Sequence, residues 1–135
     1  MPSVANFLDT NILVYALGED AKATIAQSLM DEPFVIGVQA LNEFANVGRK
    51  KLKLSLELSQ QAIDDIILMA SAVVVLDTRV TNGALALVRR YNLAFYDALM
   101  VAAALDANCS RYYSEDLQHG LLIEGKLEIV NPFLS

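Results

Sequence analysis

The stretch VANFLDTN, residues 4–11, gives the strongest single indication of the fold. Its first five residues, Val4 to Leu8, form a mostly apolar run of strand length, and Asp9 follows them directly. In open parallel sheets, ligands bind in the crevice beyond the carboxyl ends of the strands. We therefore expect Asp9 to lie at a functional site. Aspartate also caps helices well, so a second role as the cap of the following helix stays open.

Outward from this stretch, short apolar runs alternate with helical patterns along the chain. Such alternation is typical of βαβ units and predicts an α/β fold with a mostly parallel sheet. The pattern predicts five strands, at residues 4–8, 34–37, 73–76, 110–113 and 127–130. It predicts helices at residues 11–17, 21–30, 39–50, 78–91 and 96–107, and one more that starts at Ser59. No linker or repeat interrupts the 135 residues, so we expect a single domain over residues 1–135.

Composition excludes several classes of protein. No apolar run reaches the ~18 residues that cross a bilayer, and the N-terminus lacks the pattern of a signal peptide, so we expect a cytoplasmic protein with no membrane partner. Cys109 is the only cysteine and His119 the only histidine, which excludes a multi-thiolate or poly-histidine metal site. The net charge of −6 argues against a plain electrostatic nucleic-acid binder and is compatible with an enzyme that gathers carboxylates around cations.

Asp97 is the most unusual of the 16 acidic residues. It opens the segment DALMVAAAL, which has no other polar residue before Asp106, and a helix that is apolar all round is normally buried. Helical spacing places Asp97 on the same face as Val101 and Ala104, at the rim of the core. A carboxylate in that position needs hydrogen-bond donors or a cation. A structural alternative is that Asp97 caps the helix.

Two further acids stand at positions that suggest a role. Glu43 lies at the edge of the apolar stripe of its helix, from which it can reach toward the sheet, although an exposed helical glutamate is an equally good interpretation. Asp116 follows the predicted strand at residues 110–113, again at a carboxyl edge. It could instead form a turn, and Glu115 beside it is a competing candidate.

The four acids Asp9, Glu43, Asp97 and Asp116 would converge on one edge of the sheet. Carboxylates ~6 Å apart repel by roughly 2–3 kcal/mol at an effective dielectric near 20, so such a cluster requires cations. Oxygen ligands without cysteine or histidine suit Mg²⁺ or Mn²⁺. A metal of this kind can activate water and stabilise the charge that develops on a phosphodiester, especially as a two-metal pair.

With these residues in place, the chain resembles the PIN-domain family and, within it, the VapC-like ribonuclease toxins of bacterial toxin–antitoxin pairs. The resemblance covers nearly the whole chain and rests on FLDTNILVYA (7–16), QALNEF (39–44), YDALMVAAAL (96–105) and YYSEDLQHG (112–120). It implies a three-layer α/β/α fold and an endoribonuclease dependent on Mg²⁺ or Mn²⁺. It implies homodimers and inhibition by a small antitoxin.

Carried over position by position, the resemblance assigns roles to seven residues. The metal-binding and catalytic acids would be Asp9, Glu43, Asp97 and Asp116. The supporting hydrogen-bonding residues would be Thr10, Asn11 and Ser114. The choice of Asp116 over Glu115 is the assignment that the resemblance supports least.

Two surface features suggest partners. The basic run RKKLK, with Arg49, Lys50, Lys51 and Lys53, could contact RNA phosphates, although basic residues at a helix C-terminus also complement the helix dipole. The aromatic and aliphatic residues Ile12, Leu13 and Tyr15 are expected to form an exposed hydrophobic groove for the antitoxin.

Two other functions remain open at this point. A housekeeping RNA-processing nuclease would carry the same acids, although the small size and the lack of an additional RNA-binding domain favour a toxin. A catalytically inactive PIN module that only binds partners is disfavoured by four intact acids, since a scaffold has no reason to tolerate their repulsion.

Overall fold

A computed structural model describes residues 5–134 of the chain. The strands are β1 (Asn6–Leu8), β2 (Phe34–Gly37), β3 (Ala72–Val74), β4 (Arg111–Tyr113), β5 (Leu122–Ile123) and β6 (Leu127–Val130). The helices are α1 (Thr10–Tyr15), α2 (Ala21–Met30), α3 (Val38–Lys50), α4 (Leu56–Met69), α5 (Thr78–Tyr91) and α6 (Phe95–Asp106). Through the first half of the chain, successive strands are separated by helices, two between β1 and β2 and two between β2 and β3, in keeping with the predicted α/β pattern.

The sheet has six strands in the order β3-β2-β1-β4-β6-β5. All neighbouring strands are parallel except β5, which pairs antiparallel with β6. The arrangement is the expected three-layer α/β/α fold with a mostly parallel sheet. The expectation of about five strands missed β5, because its two residues are too few to form a recognisable alternating pattern.

Side-chain caps explain why several helices begin where they do. Asp20, Ser55 and Asp77 each accept a hydrogen bond from a backbone amide of the helix that follows. The Ser55 cap corrects the predicted start of α4 at Ser59, which is instead a buried residue inside the helix. The cap lies four residues before the predicted start.

The core lies on both faces of the sheet. Phe7 and Leu8 of β1, Ile36 of β2 and Ile129 of β6 are each at most 1% exposed. On the helical side the largest contribution comes from α6, in which seven consecutive residues, 98–104, are buried. This burial confirms the sequence-based expectation that a helix apolar all round lies inside the protein.

The remaining element boundaries agree with the predicted ones or differ from them by one or two residues, which is the usual uncertainty at element ends. Val4, predicted as the first residue of β1, lies outside the described residues. Among the helices between residues 5 and 134, none combines the length and the hydropathy that crossing a bilayer requires.

The expected exposed groove formed by Ile12, Leu13 and Tyr15 is wrong. Ile12 is 0% exposed and Leu13 1% exposed, so both belong to the core, while Tyr15 is half-buried. The helix α1 is short and packs against α2 and α3, which cover its apolar side chains. Its aliphatic residues contribute to the core instead of forming an open surface.

Candidate active site

The site is built where the neighbouring strands β1 and β4 end. Leu8 and Tyr113 are paired in parallel register, and the Asp9 amide donates to the Tyr113 carbonyl at 3.0 Å. The next residues, Asp9 and Ser114, therefore lie side by side at the carboxyl edge of the sheet. The Ser114 hydroxyl donates to Asp9 Oδ2 at 2.8 Å, and both residues are buried.

Asp9 also caps α1, as the sequence analysis allowed. Its extended backbone (φ −73°, ψ 163°) leads into the helix, and its Oδ1 accepts from the Thr10 amide at 2.7 Å. Each carboxylate oxygen thus has one fixed donor. The cap and the Ser114 contact together orient the carboxylate at the sheet edge.

Glu43 reaches the same edge from α3. Its Oε2 accepts from the Thr10 hydroxyl at 2.8 Å, and its Oε1 accepts from the Gln39 amide at 3.3 Å. The side chain is half-buried. The interpretation of Glu43 as a helical glutamate directed straight into solvent is therefore wrong.

Asp116 is attached to the site by Asn11. The side-chain amide of Asn11 donates to Asp116 Oδ2 at 3.1 Å, and its nitrogen lies 3.4 Å from the Ser114 hydroxyl oxygen. The same hydroxyl oxygen accepts from the backbone amide of Asp116 at 3.1 Å. Asp116 itself is exposed. The three supporting residues, Thr10, Asn11 and Ser114, thus each hold one of three different acids.

Asp97 is the third residue of α6, whose cap position is Ala94, so the interpretation of Asp97 as a helix cap is wrong. Its carboxylate is half-buried and accepts no hydrogen bond from any residue between 5 and 134. Burial raises its pKa, and so do the negative charges of Asp116 and Glu43. Asp97 is therefore electrostatically part of the same cluster.

The strongest electrostatic perturbation among the acids is at Asp9. Burial raises the pKa of Asp9 from 3.8 to about 6, against the opposing effect of the Ser114 and Thr10 hydrogen bonds. The charges of Asp116 and Glu43 add to the increase. A carboxyl group with a raised pKa among like charges at a sheet edge is typical of a functional site.

The four acids thus influence one another without forming a compact cage. Within residues 5–134, no three carboxylate, imidazole or thiolate groups are close enough together to form a ready metal cage. The donor set nonetheless fits a hard cation, because every candidate ligand is a carboxylate oxygen. A bound cation would also offset the repulsion that raises the pKa values of Asp9 and Asp97.

Glu115 has different neighbours from Asp116. Its carboxylate forms an ion pair with Lys22 and accepts from the Tyr15 hydroxyl at 2.6 Å. These contacts lower the pKa of Glu115, the Lys22 hydrogen bond contributing most. The Lys22 ammonium also lies 5.4 Å from the centre of the Phe133 ring. Glu115 is thereby held in a separate cluster, defined by Tyr15, Lys22, Glu115 and Phe133.

The basic run follows Glu43 on α3. Arg49 and Lys50 lie in the last turn and Lys51 at the C-terminal cap, and all are exposed. The Arg49 guanidinium donates to the Leu54 carbonyl at 3.2 Å. Since Glu43 and Arg49 are six residues apart, they are about 9 Å apart along the helix axis. A role in RNA binding stays a prediction.

Sequence reasoning missed two residues that the structure brings to this region. Lys22 binds Glu115 across 93 positions of sequence, and no local pattern indicates that pairing. Tyr112 lies fully buried in β4, beneath the acids. The only signal in the sequence was that Tyr112 alternates with Ser114, so that the two side chains share a face of the sheet.

Comparison with solved structures finds the same fold in proteins of toxin–antitoxin systems. A toxin–antitoxin complex from Klebsiella pneumoniae is 22% identical with a TM-score of 0.71, over 97% of this chain and 98% of that chain. VapBC from Salmonella typhimurium, bound to DNA, is 19% identical with a TM-score of 0.67, over 94% of this chain and 98% of that chain. VapC20 of Mycobacterium tuberculosis, a toxin that cleaves the sarcin–ricin loop, is 16% identical with a TM-score of 0.64, over 79% and 86%.

At these identities the likeness establishes a shared fold. A search of curated proteins finds no match in sequence. The sequence profile of the PIN domain, however, matches residues 7–119, a range that includes all four candidate acids and their three supporting residues. Because this match covers most of its 135 residues, the chain belongs to the PIN domain family.

Proposed function

We propose that this protein is a metal-dependent endoribonuclease and the toxin of a toxin–antitoxin pair. The proposed catalytic and metal-binding acids are Asp9, Glu43, Asp97 and Asp116. The observation that carries the proposal is the set of hydrogen bonds from Ser114 to Asp9, from Thr10 to Glu43 and from Asn11 to Asp116. Three polar side chains would not each be used to orient a different carboxylate at one sheet edge if the acids were ordinary surface residues.

Mg²⁺ or Mn²⁺ is the proposed cofactor. When bound, such an ion would lower the pKa of a water molecule and neutralise charge on the scissile phosphodiester. Ser114 and the Thr10 amide hold the Asp9 carboxylate in place, and the Thr10 hydroxyl holds Glu43. Hydrogen bonds from neighbouring residues to metal-binding side chains orient the ligand oxygens, and removing them usually weakens metal affinity.

RNA is the proposed substrate. The acidic site repels a polyanion unless cations neutralise it, so substrate binding and metal binding should be coupled. The exposed basic residues Arg49, Lys50, Lys51 and Lys53 are the proposed phosphate contacts, which would position RNA without reading its sequence.

A cognate antitoxin is the proposed protein partner, and a homodimer the proposed assembly. A cavity of about 270 Å³ opens between α1, α2, α3 and α4, with Leu17, Met30 and Met69 on its lining. This apolar cavity replaces the groove expected from the sequence as the proposed antitoxin contact. The solved relatives from Klebsiella pneumoniae and Salmonella typhimurium are toxin–antitoxin complexes, which supports a partner of this kind.

The direct test is RNA cleavage by purified protein. We expect cleavage with Mg²⁺ or Mn²⁺, none in excess EDTA, and a loss of at least tenfold in Asp116→Asn, because a neutral amide binds a hard cation poorly. Asp64→Asn is the matched control, since Asp64 is an exposed acid on α4. Cleavage that survives chelation, after contaminating nuclease is excluded, would contradict the proposed mechanism.

A second experiment separates a toxin from a housekeeping nuclease. Expression of the active protein alone should arrest growth, and co-expression of a short neighbouring gene should relieve the arrest. Harmless overexpression of protein that cleaves RNA in vitro would favour the processing enzyme. An inactive module would fail the cleavage assay but still bind its partner.

A further inference from the structure

Tyr112 is a buried polar residue whose hydroxyl has no partner in the described part of the chain. It occupies the middle of β4 with 0% exposure, and its hydroxyl oxygen makes no hydrogen bond with any residue between 5 and 134. A buried hydroxyl that has lost its hydrogen bonds to water and gained none in the protein is unfavourable, and native proteins seldom keep such a group without a functional reason. Phenylalanine would fill the same space without that cost.

The strand register places this hydroxyl below the acid cluster. Phe7 and Tyr112 are paired across β1 and β4, and their rings stack at 5.2 Å with only 15° between the planes. The Phe7 ring points toward the carboxyl edge of the sheet. Its Cζ atom lies beside Gly37, the last residue of β2, at 3.3 Å from the position that a Cβ atom on Gly37 would take. The Tyr112 ring lies parallel to the Phe7 ring in the same stack. Asp9 follows Phe7 by two residues and so shares its face.

The surrounding charges agree with this placement. Burial holds the pKa of the Tyr112 hydroxyl well above its usual value, and the negative charges of Asp9, Asp97 and Glu43 contribute. The Asp9 carboxylate is near enough to act on the hydroxyl as an acceptor, although the geometry falls short of a hydrogen bond. The hydroxyl is therefore a neutral donor, with three carboxylates as its neighbours.

Asp9 has capacity for another donor. Its two oxygens each accept one hydrogen bond, from the Thr10 amide and the Ser114 hydroxyl, whereas an ionised carboxylate offers about four acceptor sites. A bound cation favours the charged form, which is the stronger acceptor for a hydroxyl proton.

We infer that Tyr112 is a positioning residue for the metal site, whose hydroxyl donates to the Asp9 carboxylate when that carboxylate holds a divalent cation. This inference rests on the proposed function. The hydroxyl stabilises the ionised, metal-bound carboxylate from the protein interior, on the side away from solvent. Because the hydroxyl makes no hydrogen bond within residues 5–134, its contribution should appear on metal binding.

Tyr112→Phe separates these two states. We expect its Mn²⁺ affinity, measured by calorimetry without RNA, to fall roughly tenfold, as is usual when a contact to a ligand side chain is removed. Thermal melts of the metal-free variant should be no lower than those of wild type, because the removed hydroxyl had no partner. Tyr113→Phe is the control, since Tyr113 is the neighbouring strand residue on the opposite face and should change neither measurement.

Three outcomes overturn the inference. Unchanged Mn²⁺ affinity in Tyr112→Phe would show that the hydroxyl does not assist the bound state. A metal-free melting temperature below that of the Tyr113→Phe control would show that the hydroxyl already has a partner. If wild type itself binds no Mn²⁺, the proposed function fails and this inference fails with it. If wild type and Tyr112→Phe bind Mn²⁺ equally well, only this inference fails.

Discussion

Replacing Asp9 with Asn should stabilise the metal-free protein above pH 6 while abolishing cleavage. Burial is the main reason that the pKa of Asp9 is about 6 in the folded chain, compared with 3.8 for the ordinary side chain. An acid whose pKa is raised by folding contributes most to stability below its unfolded pKa, and that contribution is lost as pH rises through the folded pKa. Wild type should therefore lose stability between about pH 4 and pH 6 at this residue.

The magnitude follows from the two pKa values. Their difference of about 2, from 3.8 to about 6, corresponds to about 3 kcal/mol of unfavourable free energy once Asp9 is fully ionised at pH 8. Asparagine keeps an acceptor for the Thr10 amide and caps helices about as well as aspartate. Its amide nitrogen, however, takes the place of the oxygen to which the Ser114 hydroxyl donates, and the loss of that hydrogen bond costs roughly 1 kcal/mol. The expected net gain at pH 8 is roughly 2 kcal/mol.

The assay is thermal melting of metal-stripped protein at pH 4.5, 6 and 8, beside RNA cleavage with Mg²⁺. For a chain of this size, the gain at pH 8 corresponds to a rise in Tm of roughly 6–10 °C, and it should shrink toward zero at pH 4.5. Asp64→Asn, at an exposed position, should show no such dependence. A gain equal at all three pH values, or no gain at pH 8, would refute the burial argument.

Three further substitutions test the site. Asp97→Asn should melt at the same temperature as metal-stripped wild type or higher, because it removes a carboxylate whose pKa is raised by burial and by two other acids. Its RNA cleavage should nevertheless collapse, and near-normal cleavage would contradict the catalytic role of Asp97. Glu115→Gln should retain most of the cleavage activity, since Glu115 pairs with Lys22 outside the acid cluster, and a loss as large as that of Asp116→Asn would reverse the assignment. Thr10→Val should lower stability by about 1 kcal/mol and weaken Mn²⁺ binding in calorimetry, because Glu43 loses its hydroxyl donor; unchanged Mn²⁺ affinity would show that this contact does not serve the metal site.

Local patterns predicted much of the fold. Helical periodicity located α2, α3 and α5 to within one residue at each end, and the apolar segment in α6 was correctly placed inside the protein. These features follow from the order of polar and apolar side chains within one element. The start of α4 was wrong because a cap depends on one serine hydroxyl meeting one amide, and Ser55 and Ser59 differ little in sequence terms.

The candidate acids were also identifiable from the sequence, for a related reason. Asp9 directly follows a buried strand, and Asp97 directly precedes the seven buried residues of α6, so both stand where a charge is out of place. Burial of Ile12 and Leu13 was not foreseeable, because the exposure of a short helix depends on which helices cover it. The choice between Glu115 and Asp116 could not be made from the sequence either, because adjacent acids have the same local sequence surroundings.

The sequence by itself determined which residues are acidic, which segments are apolar, and that Asp9 and Asp116 come after strands of a parallel α/β fold. The tertiary structure alone decided which atoms meet. Ser114 reaches Asp9 across 105 positions, and Lys22 reaches Glu115 across 93. Tyr112 lies beneath Asp9, and its hydroxyl has no hydrogen-bond partner among residues 5–134. The physical reason is that polarity and periodicity are properties of neighbouring residues, whereas hydrogen bonds and desolvation depend on strand register and on packing between distant segments.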